Sequence, residues 1–144
     1  MPLTFKHRIP LLTYATNRYN LGHYLRDNSR DYYVKVSVKP FSRLRVQASY
    51  LYAAHGNEYD YALGETPIDE HPFMKEKTWD NETIAIKASY EFSSNAYLFA
   101  DFTHRNIKGY SVDGRPASFY LSKFSPSMFH GETSTVRVGL NLGF

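Results

Sequence analysis

Six histidines are the side chains of this sequence that could serve the most chemical roles. Imidazole acts both as a metal ligand and as a general acid or base near neutral pH. They are His7, His23, His55, His71, His104 and His130. Their spacing contains no HExxH or His-x-His element, and no GxSxG or paired-carboxylate motif accompanies them. The sequence therefore predicts no catalytic residue, no metal site and no cofactor, and we expect a protein that is not an enzyme.

Arginine and tyrosine side chains are mixed in the segment at about 8–30, where Asp27 is the single acidic residue. Guanidinium groups match carboxylates and phosphates, and tyrosine rings stack on sugar faces, so this composition suits an anionic glycan. The candidate glycan-binding residues are Arg8, Arg18, Tyr19, Tyr24, Arg26 and Arg30. The structural alternative is a tyrosine-rich loop that packs on itself.

Acidic residues dominate the stretch between Asn57 and Glu82, where Lys75 and Lys77 are the only lysines and arginine is absent. Carboxylate oxygens suit hard divalent cations. The spacing matches no EF-hand or other calcium motif, so a solvated acidic loop is the preferred interpretation.

The elements that position these residues show a period of two, which is typical of strands with two different faces. In the last of them, Val136, Val138, Leu140 and Leu142 share one face. Strands are predicted at about 2–7, 31–39, 44–55, 83–92, 97–105 and 133–144.

The connections between the predicted strands alternate between short and long. Tight turns are expected at 41–43 and 93–95, and long loops at about 8–30, 56–82 and 106–132. Transmembrane barrels have short periplasmic turns and long extracellular loops, whereas long loops without structure are uncommon in compact soluble domains. The alternation therefore favours a transmembrane β-barrel.

The final residues alternate up to an aromatic ring at the C-terminus. Arg137, Gly139, Leu142 and Phe144 resemble the C-terminal signal that the bacterial barrel-assembly machinery reads. A terminal aromatic ring also suits the interfacial girdle of a lipid-facing strand. We therefore expect an all-β, antiparallel up-and-down transmembrane β-barrel in the bacterial outer membrane, with its C-terminus on the periplasmic side.

Composition agrees with this interpretation without establishing it. The chain is 17% aromatic, has no cysteine and contains no apolar run of helix-spanning length, so no transmembrane helix is predicted. A mean hydropathy of −0.49 is compatible with a barrel, because half of each strand faces a polar lumen. The net charge of +3, without a basic run or a known motif, gives no indication of nucleic-acid binding.

The predicted strands number about six, whereas single-chain outer-membrane barrels need at least about eight. We therefore expect residues 1–144 to form one segment, the last six or so strands of a larger barrel. An oligomer in which each protomer contributes a few strands is the second possibility. Met1–Leu12 lacks the layout of a signal peptide, so the expected chain is mature or truncated.

The polar faces of the predicted strands would line the lumen. The charged lumen residues are Lys35, Arg45, Lys87, Asp101 and Arg137. A three-residue turn at 93–95 would place Lys87 opposite Asp101, as a strut worth about 0.2–1 kcal/mol. The wall is otherwise basic and would favour anions, including acidic sugars.

One stretch resembles a known family. Tyr19-Asn20-Leu21-Gly22-His23 and the residues up to Asp31, followed by the hairpin at Pro40 and the strand end at His55-Gly56, look like the capsule-assembly (Wzi-like) outer-membrane barrels of Bacteroidota. Residues 129–133, which lead into the last strand, also resemble that family. Arg26 stands where the family pattern is expected to have a glycine in the turn. The resemblance covers about the last third of such a barrel.

The resemblance implies a non-enzymatic barrel that attaches or organises surface polysaccharide. The expected partners are outer-membrane lipid and lipopolysaccharide, the barrel-assembly machinery and, as the resemblance implies, capsular polysaccharide. The alternative function is a porin or a substrate-specific diffusion channel, which would conduct in planar bilayers. A soluble lipocalin-like binder is a third and more distant possibility.

Overall fold

The computed structural model of the protein describes residues 15–16, 19–20, 25, 28–57 and 72–142 of the 144-residue chain. The strand predicted at about 2–7 lies outside these residues. Large parts of the segments predicted as loops at 8–30 and 56–82 also lie outside them.

The described chain is built mainly from antiparallel strands. Two short strands, β1 (Ala15–Thr16) and β2 (Tyr19–Asn20), pair with each other. The larger sheet contains β3 (Ser29–Phe41), β4 (Leu44–Gly56), β5 (Lys77–Ser93), β6 (Ala96–Gly109) and β7 (Gly131–Leu142). Its order is β3-β4-β5-β6-β7, so each strand lies beside its neighbour in sequence. The all-β, antiparallel up-and-down part of the predicted fold is thereby confirmed, as one open five-stranded sheet.

Two tight turns join neighbouring strands of this sheet. Ser42 and Arg43 link β3 to β4, and Ser94 and Asn95 link β5 to β6. Asn95 has a φ of +62°, in the left-handed region that asparagine enters more readily than most residues. Both turns fall where the alternating pattern stops.

The strands extend further than the apolar pattern predicts. β5 begins at Lys77 rather than near residue 83, and β6 ends at Gly109 rather than near 105. Each extension carries a single large apolar side chain, Trp79 in β5 and Ile107 in β6, so apolar alternation does not mark them. Backbone hydrogen bonding continues there nonetheless, because it does not depend on side-chain polarity.

A helix, α1 (Ala117–Phe124), occupies part of the segment predicted as a loop at 106–132. Pro116 precedes it without a side-chain cap, and a 3-10 helix follows at Ser127–Phe129. With eight residues and no capping motif, α1 offers little periodic signal. Among the described residues, no helix is long and apolar enough to cross a membrane.

The chain divides into two compact units. The loop unit comprises the described residues of Met1–Asp31, Ala53–Asp80 and Gly109–Pro126, and the sheet unit comprises those of Tyr32–Tyr52, Asn81–Lys108 and Ser127–Phe144. The loop unit has its own small core, whose buried apolar residues are Leu25, Ala53, Ala54, Trp79, Val112, Tyr120 and Leu121.

Helix α1 packs closely within the loop unit. A Cβ on Gly109 would lie 2.7 Å from Leu121 Cδ1, so the close approach of this side chain requires glycine. Tyr120 is buried, and its hydroxyl donates a hydrogen bond of 2.9 Å to the Val112 carbonyl. The helix is thus held by its Tyr120-Leu121 pair.

Candidate functional site

The sheet unit presents a continuous apolar face. In the β6–β7 register, Leu98 lies opposite Leu140 and Ala100 lies opposite Val138. Directly opposite residues of an antiparallel pair share a face, so the apolar side chains of these two strands lie together. Val138 is 69% exposed, although it is a residue type usually found inside proteins.

Two side-chain contacts join neighbouring strands on this face, one between β3 and β4 and one between β4 and β5. The Tyr32 ring of β3 stacks on Tyr52 of β4, with ring centres 6.5 Å apart. Tyr50 of β4 donates a hydrogen bond of 3.0 Å to Glu82 of β5. The exposed large apolar residues of this face are Tyr32, Val34, Val36, Val38, Tyr50, Ile84, Ile86, Tyr90, Phe92, Leu98, Phe102, Val136, Val138, Leu140 and Leu142.

The apolar face extends over about half the length of β5. On β5 it runs from Ile84 to Phe92, which is about 26 Å at about 3.3 Å per residue. In a strand tilted by about 40°, this length covers roughly 20 Å of the membrane normal, near the apolar band of about 25 Å in outer-membrane barrels.

Polar side chains end the apolar face at one edge. Beyond Phe102 and Val136 on the same face come His104 and Ser134, which are opposite in register and joined by a hydrogen bond of 3.0 Å. Glu132 Oε1 lies 3.8 Å from His104 Nε2. The side chains on this face therefore change from apolar at Phe102 to hydrogen-bonding at His104, the next residue on the same face.

An ion pair joins β6 and β7 on the polar face. Arg137 Nε donates to Asp101 Oδ1 over 2.8 Å, and the two residues are opposite in register. The predicted placement of Lys87 opposite Asp101, across β5 and β6, stays a prediction. The turn at 93–95 bears only on those two strands, whereas the ion pair joins Asp101 to its neighbour on β7.

The ring of Phe99 covers the backbone of Gly139 on the same face. The two residues are opposite in register, and a Cβ added to Gly139 would lie 2.3 Å from Phe99 Cζ. The ammonium group of Lys87 lies 6.0 Å from the centre of the Phe99 ring. Phe99 thus links the polar faces of β5, β6 and β7. The two remaining predicted lumen residues, Lys35 and Arg45, are exposed on β3 and β4.

The predicted assembly signal lies in β7, apart from its last residue. Arg137 and Gly139 have the polar-face partners described above, and Leu142 is exposed on the apolar face. Phe144 lies outside the described residues.

The structure describes only part of the predicted glycan-binding set, so the grouping of these residues stays a prediction. Arg8, Arg18, Tyr24 and Arg26 lie outside the described residues. Tyr19 is described only through the backbone of β2, and Arg30 is exposed on β3.

Three histidines fall within the described residues. His55 is buried, with its ring centre 5.7 Å from that of Trp79. His104 lies inside β6, and His130 immediately precedes β7. In the described part of the chain, no group of three His, Cys, Asp or Glu side chains is close enough to hold a metal ion.

Asn28 is a buried structural residue that sequence patterns did not identify. Its side-chain amide donates to the Asn57 carbonyl over 2.7 Å and accepts from the Met74 backbone N–H over 2.8 Å. Its own carbonyl accepts from the Gly56 N–H over 2.8 Å, and its φ is +52°. Its position just before a strand is the only sequence signal, and its partners are 28 or more residues away.

Trp79 forms the aromatic centre of the loop unit. It is 4% exposed and stacks on Phe124 of α1, with ring centres 3.7 Å apart. The neighbouring Thr78 hydroxyl is within hydrogen-bonding distance of the His55 and Gly56 carbonyls. The sequence offers no short-range signal for these contacts.

A charged group lies near the start of β5. Lys77 donates to Asp80, which also accepts a hydrogen bond of 3.0 Å from the Tyr110 hydroxyl. The hydrogen bond that Lys77 donates to the Asp80 carboxylate raises the pKa of Lys77. Two carboxylates of the predicted acidic loop, Asp80 and Glu82, therefore belong to β5 and have hydrogen-bond partners.

Comparison with protein-family models, with curated proteins and with solved structures gives no match to this chain.

Proposed function

We propose that this chain is a segment of a transmembrane β-barrel in the outer membrane of a Gram-negative bacterium. The observation that carries the proposal is the apolar face, which all five strands of the sheet share and which is exposed on each strand. Monomeric soluble proteins rarely expose contiguous apolar surface larger than a few hundred Å². Lipid is the environment in which such a face is stable, while the polar face lines a lumen.

The edges of the sheet support a larger barrel. Among the described strands, β3 pairs only with β4, and β7 pairs only with β6. Unpaired backbone groups are costly in hydrocarbon, so both edges require further strands. We place these strands in the same protein; contribution from other protomers is the alternative.

Within this barrel, we propose a non-enzymatic role in attaching or assembling surface polysaccharide. The support is the resemblance of the segment around Leu21-Gly22-His23 to capsule-assembly barrels. Lys35, Arg45 and Lys87 add basic groups to the polar face, which suits an acidic polymer.

Deleting the gene in the encapsulated bacterium that carries it tests the polysaccharide role. We expect capsular polysaccharide to move from the cell pellet to the medium, and the gene restored in trans to reverse this. Unchanged retention of polysaccharide on the deleted cells would contradict the role.

The second candidate is a diffusion channel, favoured by the same basic groups on the polar face. A channel selective for anions would give conductance steps in planar bilayers, with a reversal potential shifted toward that of the anion. A closed or plugged polysaccharide organiser would give none.

A further inference from the structure

A groove of about 270 Å³ lies on the sheet unit, beside the turn between β3 and β4. Its lining residues are Lys39, Ser42, Arg43, Leu44, Arg45, Ser89, Glu91 and Tyr97. Lys39 and Arg45 belong to the polar faces of their strands by alternation, as do Ser89 and Tyr97. The groove is therefore a feature of the polar face.

Positive charge dominates this groove. Lys39, Arg43 and Arg45 line it with a single carboxylate, that of Glu91. Within the residues that the structure describes, none of these three cationic side chains forms an ion pair or a hydrogen bond. Arg137 on the same polar face differs, because Asp101 neutralises it. The groove thus gathers cationic groups whose charge the sheet leaves uncompensated.

The backbone around the groove is fixed. Lys39 lies in β3, Arg45 lies in β4, and only the two turn residues Ser42 and Arg43 separate the strands. The Glu91 N–H of β5 donates a hydrogen bond of 2.9 Å to the Arg43 carbonyl, which ties the turn to the next strand. Ligand groups on strands are held more precisely than groups on loops.

We propose that this groove binds the carboxylate of an acidic sugar residue. The Arg43 and Arg45 guanidinium groups match a carboxylate with paired N–H donors, and the Lys39 ammonium adds a third charge. The Ser42 and Ser89 hydroxyls supply hydrogen bonds of the kind that sugar hydroxyls make, and the Tyr97 ring adds an apolar surface. The groove is slightly smaller than typical small-molecule pockets of at least about 300 Å³, so it suits one sugar unit of a chain.

This inference rests on the proposed function in one respect, since the polar face must line a lumen that polysaccharide can reach. The chemistry of the groove belongs to the sheet unit and is testable on the purified barrel that contains this chain. A carboxylated sugar and inorganic phosphate offer the same oxyanion chemistry, so the two probes are compared directly.

The experiment is calorimetric titration of the complete barrel that contains this chain, in detergent micelles, with tetragalacturonate, maltotetraose or inorganic phosphate. We expect tetragalacturonate to bind, maltotetraose not to bind, and phosphate to bind more weakly than tetragalacturonate. The double variant Arg43→Gln/Arg45→Gln should weaken tetragalacturonate binding about tenfold or more, because two charge-assisted hydrogen-bond donors are lost. The matched control, Lys75→Gln/Lys108→Gln, removes the same charge from exposed positions outside the groove and should bind like the parent chain.

Equal weakening in both double variants would overturn the site, because net charge alone would then explain binding. Tighter binding of phosphate than of tetragalacturonate, or absence of tetragalacturonate binding, would also overturn it. If the double variant does not fold, Arg45→Lys retains the charge but loses the paired donors, and parent-like affinity of that variant would contradict the proposal. If deleting the gene releases capsule but the groove does not bind tetragalacturonate, the polysaccharide role stands and only the groove proposal is rejected.

Discussion

Phe99 and Gly139 face each other across β6 and β7, and the Phe99 ring occupies the space that a side chain at position 139 would need. The distance from an added Cβ to Phe99 Cζ would be 2.3 Å, below any real contact of this kind. The glycine of the predicted assembly signal therefore has a packing role in the folded sheet.

Gly139→Ala should destabilise the sheet by about 1–3 kcal/mol, because the ring must move away from the new methyl group. Denaturant unfolding of the complete barrel in micelles measures this loss. In the Phe99→Ala background, the same substitution should cost much less, since the ring is gone. An equal cost in both backgrounds would show that the ring is not the cause.

Arg137→Gln should destabilise the sheet by about 1 kcal/mol, because the nearly buried Asp101 carboxylate loses its charged partner. Asp101→Asn should cost a similar amount. In a double-mutant cycle of unfolding free energies, the two changes together should cost less than their sum. Strictly additive losses of unfolding free energy would show that the two side chains do not stabilise each other.

Leu140→Arg should reduce stability in a bilayer by about 2–4 kcal/mol if the residue lies near the midplane of the membrane. The neighbouring Asn141→Arg, on the polar face, is the matched control and should be tolerated. Gly139 is unsuitable as that control because of Phe99. The measurement is the folded fraction after reconstitution into lipid vesicles, and equal losses would mean that the two faces are wrongly assigned.

Asn28→Ala should destabilise the loop unit by about 2–4 kcal/mol, since it removes two side-chain hydrogen bonds and strains a left-handed backbone. Asn28→Gly removes the same hydrogen bonds, but glycine adopts the left-handed backbone conformation without strain. This variant should therefore destabilise the loop unit less than Asn28→Ala. Hydrogen exchange of the Gly56 amide reports local opening. Unchanged protection of that amide in Asn28→Ala would refute the role of Asn28.

Phe124→Ala should expose Trp79, whose ring now stacks on Phe124 at 3.7 Å. Because Trp79 is the only tryptophan, its fluorescence emission reports this directly and should shift to longer wavelength. Phe129→Ala, which changes an exposed residue, should leave the emission unchanged. A shift in the control but not in Phe124→Ala would contradict the stacking.

The sequence pattern predicted much of the sheet and little of the loop unit. Alternation at Ile84 to Phe92 and at Val136 to Leu142 locates strands and their apolar faces, because strand periodicity is local information. The polar start of β5 at Lys77 has no such signal.

Contacts distant in sequence account for what was missed. Asn28 accepts a hydrogen bond from the Met74 backbone, and Trp79 stacks on Phe124, which lies 45 positions later in the chain. The pairing of Asp101 with Arg137 required the β6–β7 register, which no turn length specifies because a helix lies between those strands.

The most direct test of the central proposal is a nitroxide scan along β7 in lipid vesicles. The chain has no cysteine, so single cysteines at positions 136 to 142, with position 139 left out because of Phe99, each accept one spin label. We predict that accessibility to oxygen will peak at the even positions, Val136, Val138, Leu140 and Leu142, while accessibility to a water-soluble nickel complex peaks at the odd positions. Uniformly high access for the nickel complex, or no alternation between neighbouring positions, would contradict a lipid-facing strand.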